Sequence, residues 1–161
     1  MSSDVVTIGV YGFDLPDFVD ALRAANVGLL ADVRQRRGVR GSEYAWANSL
    51  RLQAALADAG VGYEHWPSLA PTTELRQLQY AEDAREGVGK RSREVLDPEY
   101  RERYITEVLD RADLDALVAE IPADAALALF CVERDPEACH RSLVAARLAE
   151  DFGVAVSHLR P

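Results

Sequence analysis

A chain of 161 residues, 48% hydrophobic and 28% charged, is long enough to bury a proper core and too apolar to stay disordered. Its net charge of −9 argues against a surface that binds nucleic acid throughout, because phosphate contacts need clustered Lys and Arg. No apolar run reaches membrane-spanning length and the opening MSSDVV lacks a basic or hydrophobic leader, so a cytoplasmic protein with two reduced thiols is expected.

Residues 5–10 (VVTIGV) read as a buried first strand ending at Tyr11-Gly12, where the backbone can turn sharply or approach a ligand. Asp14 is placed to cap a helix with Pro16 and Asp17 in its first turn, and Phe18, Ala21, Leu22 and Ala25 recur at helical spacing. Residues 28–33 (GLLADV) form the second strand, followed at once by Arg34, which makes a βαβ unit. Alternation puts Asp32 and Arg34 on one face. A loop over 36–42 carries Arg36, Arg37 and Arg40. A helix over 49–59 with Asn48 as cap and a strand over 63–66 come next.

Helical stretches follow from about residue 71 to 85, after Asp97-Pro98, and over 114–121. Between the first two lies the polar, glycine-rich 87–93 (GVGKRSR), read as a mobile loop whose charges are solvated. Residues 70–122 together form a helical insertion. The apolar run 126–132 is a further strand, and 154–159 a last one. The alternation predicts one α/β domain over 1–161, in three layers, with a mostly parallel sheet of about five strands.

The chemistry is concentrated in 126–144, ALALFCVERDPEACHRSLV. Asp135 stands as an N-cap and Pro136 at the first helical position, which places Cys139, His140 and Arg141 in the first turns of a helix. Cys131 and Glu133 end the preceding strand. A thiol there, beside Arg141 and Arg34, is pushed toward thiolate. The competing reading packs Cys139 with Leu143 and Ala146 on one apolar helix face. Adjacent helical residues point about 100° apart, so His140 is expected to serve a neighbour other than Cys139. Cys131, inside an apolar strand, is expected to be an inert core residue. Neither cysteine opens a C-x5-R phosphatase loop or a rhodanese-like one.

Five stretches carry a resemblance: Thr7-Ile8-Gly9, Leu30-Ala31-Asp32-Val33-Arg34, Gly62-Tyr63-Glu64-His65, Thr72-Thr73-Glu74-Leu75-Arg76, and Cys131-x-Glu133 with Cys139-His140-Arg141-Ser142. In this order and spacing the chain resembles the bacterial family called domain of unknown function 488. The resemblance implies a compact α/β fold without an established reaction, and a DNA-repair label that some members carry. On matching positions it makes Asp32, Arg34, Cys131, Glu133, Cys139, His140 and Arg141 the candidate site. Family members often carry His-Ser after the first-strand glycine, where this chain has Val10-Tyr11-Gly12.

The leading expectation is an enzyme, a cysteine-dependent transferase or hydrolase, acting on a small phosphate- or carboxylate-bearing substrate with nucleotides in the class. Cys139, Glu133, Asp32 and His140 form the catalytic set, and Arg34, Arg141, Tyr11, Gly12 and Arg40 hold the anion. A nucleic-acid-binding module using loops 34–40 and 90–93 is the second reading. A metal centre through Cys131, Cys139, His140 and His65 is the third. Its spacing fits no zinc pattern, so no metal and no cofactor is assigned.

Overall fold

The computed structural model describes residues 3–161; Met1 and Ser2, part of the segment read as lacking a leader, lie outside the described residues. Five strands, β1 (Val5–Ile8), β2 (Val27–Asp32), β3 (Gly62–His65), β4 (Ala126–Phe130) and β5 (Val156–His158), pair in the order β3-β2-β4-β1-β5. Every pairing is parallel. The helices are α1 (Leu15–Ala24), α2 (Ser49–Asp58), α3 (Thr73–Glu86), α4 (Pro98–Glu107), α5 (Leu114–Ala119) and α6 (Arg141–Phe152). This is the expected three-layer α/β fold, with α3, α4 and α5 filling the segment between β3 and β4.

Local chemistry explains most element starts. Asp14 Oδ1 accepts from the Asp17 amide, and Asp97 Oδ2 from the Glu99 and Tyr100 amides, each with a proline inside the first turn. Asn48 precedes α2 as expected but does not cap it with its side chain; Asn48 Oδ1 accepts instead from the Val39 amide, at 2.7 Å, and ties down the arginine loop. Every residue of β1 and β4 is buried, as strands covered on both faces require. Phe18 of α1 packs edge-on against Phe130 of β4, which anchors that helix to the sheet.

Right-handed crossovers then assign the layers. The chain steps from β1 to β2 to β3 in one direction along the sheet, so α1 and α2 cover one face. It steps back from β3 to β4, and on from β4 to β5, so α3–α5 and α6 cover the other. Connections leaving the adjacent strands β1 and β4 therefore diverge, and a crevice opens beyond their C-terminal ends. Here the two backbones nearly touch. A Cβ on Gly9 would stand 1.9 Å from the Glu133 carbonyl oxygen, so only glycine fits.

The start of α6 differs from expectation. Pro136–Ala138 is a single 3₁₀ turn, Cys139 is extended, and the helix begins at Arg141 after His140. The Asp135 side chain caps nothing and faces Arg160 at 3.6 Å. Tertiary hydrogen bonds explain the break. The Glu137 carbonyl accepts from the Leu96 amide and the Ala138 carbonyl from Arg93 Nη1, and those are acceptors that a helix running on from Pro136 would need.

Candidate functional site

The extended conformation of Cys139 brings three soft side chains together. Cys131, one residue beyond β4, and Cys139 each place Sγ 3.8 Å from Nδ1 of His140. The ligand atoms of the three all lie within 4.8 Å of one another, and all three residues are buried. One expectation is thereby corrected: His140 and Cys139 do form a direct pair, because Cys139 is not helical. Cys131 lies in the hydrophobic core as expected, and its sulfur faces the same imidazole. Oddly for a residue at a helix start, His140 uses its ring on neither cap nor solvent: Nε2 lies 2.8 Å from the Val33 carbonyl oxygen. A carbonyl can only accept, so Nε2 carries the proton and Nδ1 is turned to the sulfurs.

Electrostatics separates the two thiols. Burial pushes the Cys139 thiol up, but a hydrogen bond from Cys131 and the positive charges of His140 and Arg141 outweigh it and hold the thiol well below its ordinary value. Burial, the hydrogen bond to Cys139 and the negative charges of Cys139 and Glu133 push Cys131 well above it. Burial lowers His140, yet the charge and hydrogen bond of Cys139 more than compensate and raise it. These directions favour a Cys139 thiolate beside a His140 imidazolium, with the proton kept on Cys131.

These groups border a cavity of about 700 Å³ at the crevice. Six arginines (Arg34, Arg36, Arg40, Arg76, Arg91, Arg93) and Lys90 line it, against the single acid Glu133. Its aromatic wall is Tyr11, Tyr80 and Tyr100. Loops 34–41 and 87–93, distant in sequence, meet over it. The Arg91 guanidinium lies over the rings of Tyr11 and Tyr44, at 5.2 and 5.1 Å, and donates to Glu43 and the Arg40 carbonyl. Lys90 keeps its charge there: burial lowers it, but Glu133, Tyr80 and Cys131 raise it further.

The remaining expected site residues divide sharply. Arg34, 2% exposed, gives Nε and Nη2 to Asp32 and Nη1 to the Ala47 carbonyl. Asp32 also accepts from Tyr63 Oη at 2.6 Å and is not among the cavity-lining residues. Arg141, wholly buried, donates Nη1 and Nη2 to the carbonyls of Glu133 and Arg134, and its Nε has no partner. Arg34 and Arg141 are thus brought to the same edge as Cys139, but their donors brace the loops that shape it. Gly12 turns with φ +94° and donates its amide to Tyr44 Oη, outside the cavity, whereas Tyr11 and Arg40 line it. His65 binds the Arg34 carbonyl and takes no part in the sulfur cluster.

Glu133 lines the cavity. Its Oε1 meets Arg93 Nη1 at 3.3 Å and its buried Oε2 has no partner. Arg93 contradicts the picture of solvated loop charge: it is buried, with Nε and Nη2 on Asp83 and Nη1 on Glu133 and the Ala138 carbonyl. Asp83, Arg93, Arg36, Arg76 and Lys90 were outside the expected site set. For Lys90 and Arg93 the signal is the basic segment 90–93 directly after Gly87 and Gly89, a composition suited to a loop that folds over a ligand.

Residues 14–148 match a family model described as Domain of unknown function DUF488. No curated protein and no solved structure matches the chain. The matched segment runs from the cap of α1 through most of α6 and so contains both thiols, His140, Glu133 and both basic loops; the chain belongs to the DUF488 family.

Proposed function

We propose that this chain is a small cytoplasmic enzyme that draws a phosphate- or carboxylate-bearing substrate, nucleotides included, into the crevice and attacks it with Cys139. The observation that carries this reading is the charge of the cavity: seven cations against one acid, in a chain whose net charge is −9. Field lines concentrate in such a low-dielectric cleft and raise the local concentration of anions. Arg36, Arg40, Arg76 and Lys90 line the cavity and enter none of the ion pairs among the described residues; Arg76 is engaged by Gln35 and Tyr80, which leaves Arg36, Arg40 and Lys90 as the anion-binding donors. Cys139 is the nucleophile, His140 balances its charge and exchanges its proton, and Glu133 Oε2 handles the proton of a water or leaving group.

Calorimetric titration with pyrophosphate, nucleoside monophosphates and tricarboxylates tests the binding half. Affinity should fall with salt, and neutralising Arg36, Arg40 and Lys90 together to Gln should weaken it roughly tenfold or more. If no anion binds, or the neutralised variant binds as well, the reading fails. Salt-sensitive binding of single-stranded DNA without affinity for small anions would favour the nucleic-acid module instead.

One observation favours a metal reading: two thiols and an imidazole whose far nitrogen is fixed by a backbone carbonyl are a common donor set for zinc. Against it stand the cations around the cluster, which favour a thiolate and oppose an incoming dication. Cobalt(II) added to the reduced protein separates the two, since thiolate-to-cobalt absorption bands would establish the metal reading and a silent spectrum would remove it.

A further inference from the structure

A single nucleophilic thiol accounts for Cys139 but leaves Cys131 without a task. Both cysteines line the cavity, both face Nδ1 of His140 at 3.8 Å, and their sulfurs lie within 4.8 Å of each other. Neither is locked inside a regular element: Cys131 follows β4, and Cys139 is extended between a 3₁₀ turn and α6. A disulfide needs the sulfurs at about 2 Å, a closure that movement of the 136–140 segment can supply.

Resting on the reading of Cys139 as nucleophile in a cationic cavity, we propose that the substrate class is a small carboxylate-bearing disulfide and that Cys131 is the resolving thiol of a thiol–disulfide exchange. The Cys139 thiolate attacks one sulfur of the substrate disulfide; a mixed disulfide forms and the other half leaves as a thiolate, protonated from His140. Cys131 then gives its proton to the His140 imidazole, attacks Cys139 Sγ, forms the Cys131–Cys139 disulfide and expels the second half as a thiolate. Two electrons pass from the protein dithiol to the substrate disulfide, and each later turnover begins when a small dithiol reductant returns two electrons to the Cys131–Cys139 disulfide by the same exchange. The order of events follows from charge. While Cys139 is anionic its charge keeps the neighbouring proton on Cys131; once Cys139 is capped as a mixed disulfide that charge is gone and Cys131 ionises more readily.

The test uses the reduced full chain, oxidised glutathione as the carboxylate-bearing probe and cystamine as its cationic counterpart, read by intact-mass spectrometry after acid quench. Wild type should lose two hydrogens and release both glutathione halves. Cys131→Ser and Cys131→Ala should each stop at a glutathione adduct on Cys139, their melting curves showing that both fold. Oxidised glutathione should react roughly tenfold or more faster than cystamine at low salt. A stable adduct on wild type, or equal rates for the two probes, overturns the proposal. No reaction with oxidised glutathione while iodoacetate alkylates Cys139 quickly also overturns it and leaves the nucleophile reading standing. Failure of both reagents takes that reading down as well.

Discussion

Replacing His140 by Asn isolates the interaction on which the thiolate depends. The imidazolium and the Cys139 sulfur are 3.8 Å apart. Two unit charges at that distance attract by about 4 kcal/mol at an effective dielectric constant of 20, or roughly 3 pK units. The assay is the pH–rate profile for alkylation of Cys139 by iodoacetamide, a neutral reagent that does not respond to the charge of the cavity. The sign is fixed by the direction of the shift. A thiol held below its ordinary value remains thiolate as pH falls through neutrality, so the wild-type rate should stay on its plateau below pH 7 and decline only under more acidic conditions. In His140→Asn the inflection should move to higher pH by roughly 3 units, and the rate at the foot of the wild-type plateau should drop with it. Loss of the bond to Val33 is monitored by a parallel melting curve. A wild-type inflection at or above the ordinary thiol value of about 8.5, or overlapping profiles for wild type and variant, would refute the reasoning.

Arg34→Met leaves Asp32 charged, fully buried and held only by Tyr63 and an amide, so urea denaturation should show a loss of about 3–5 kcal/mol; a loss under 1 kcal/mol would mean the pair braces nothing. Gly9→Ala must push the Glu133 backbone away, and a drop of about 1–3 kcal/mol together with slower Cys139 alkylation is expected. Unchanged alkylation would show that the 131–140 loop can shift without disturbing the thiols. Arg93→Met removes the link from α3 to the Glu133 and Ala138 segment, so amides 88–93 should exchange faster by hydrogen-exchange mass spectrometry. Protection equal to wild type would show that the Gly-rich loop is held by something else.

Much of this arrangement is legible from residue order alone. Apolar runs bounded by glycine or charge mark β1, β2 and β4, and the alternation of strand and helix implies the parallel sheet and the edge where the loops gather. The pairing of Asp32 with Arg34 follows from strand alternation. What local pattern cannot convey is competition for backbone acceptors. Asp14-x-Pro16, Asp97-Pro98 and Asp135-Pro136 are similar cap-and-proline signals, yet the first two open helices and the third yields one 3₁₀ turn. The difference is made by Leu96 and Arg93, more than thirty residues away in sequence, taking the carbonyls of Glu137 and Ala138. Because that turn ends early, Cys139 is extended and meets His140 and Cys131, a cluster that helical spacing forbids. The same long-range contact turns Arg93 from solvated charge into a buried brace.

The cations of the cavity fall into two groups, and the division bears on what a substrate must look like. Arg34, Arg91 and Arg93 are matched by Asp32, Glu43, Asp83 and Glu133, so their charge is largely cancelled where it sits. Arg36, Arg40, Arg76 and Lys90 have no such partner and set the sign of the field that an incoming molecule meets. Three of them belong to the two loops and Arg76 to α3, whereas Cys139 and His140 lie at the sheet edge. The thiolate, for its part, is balanced by an imidazolium, so an approaching anion meets a dipole there and not a bare negative charge. A ligand suited to both regions therefore carries an anionic group for the loops and an electrophilic centre for the sulfur. Inorganic phosphate offers only the first, and it should protect Cys139 from alkylation less well than a molecule that carries both.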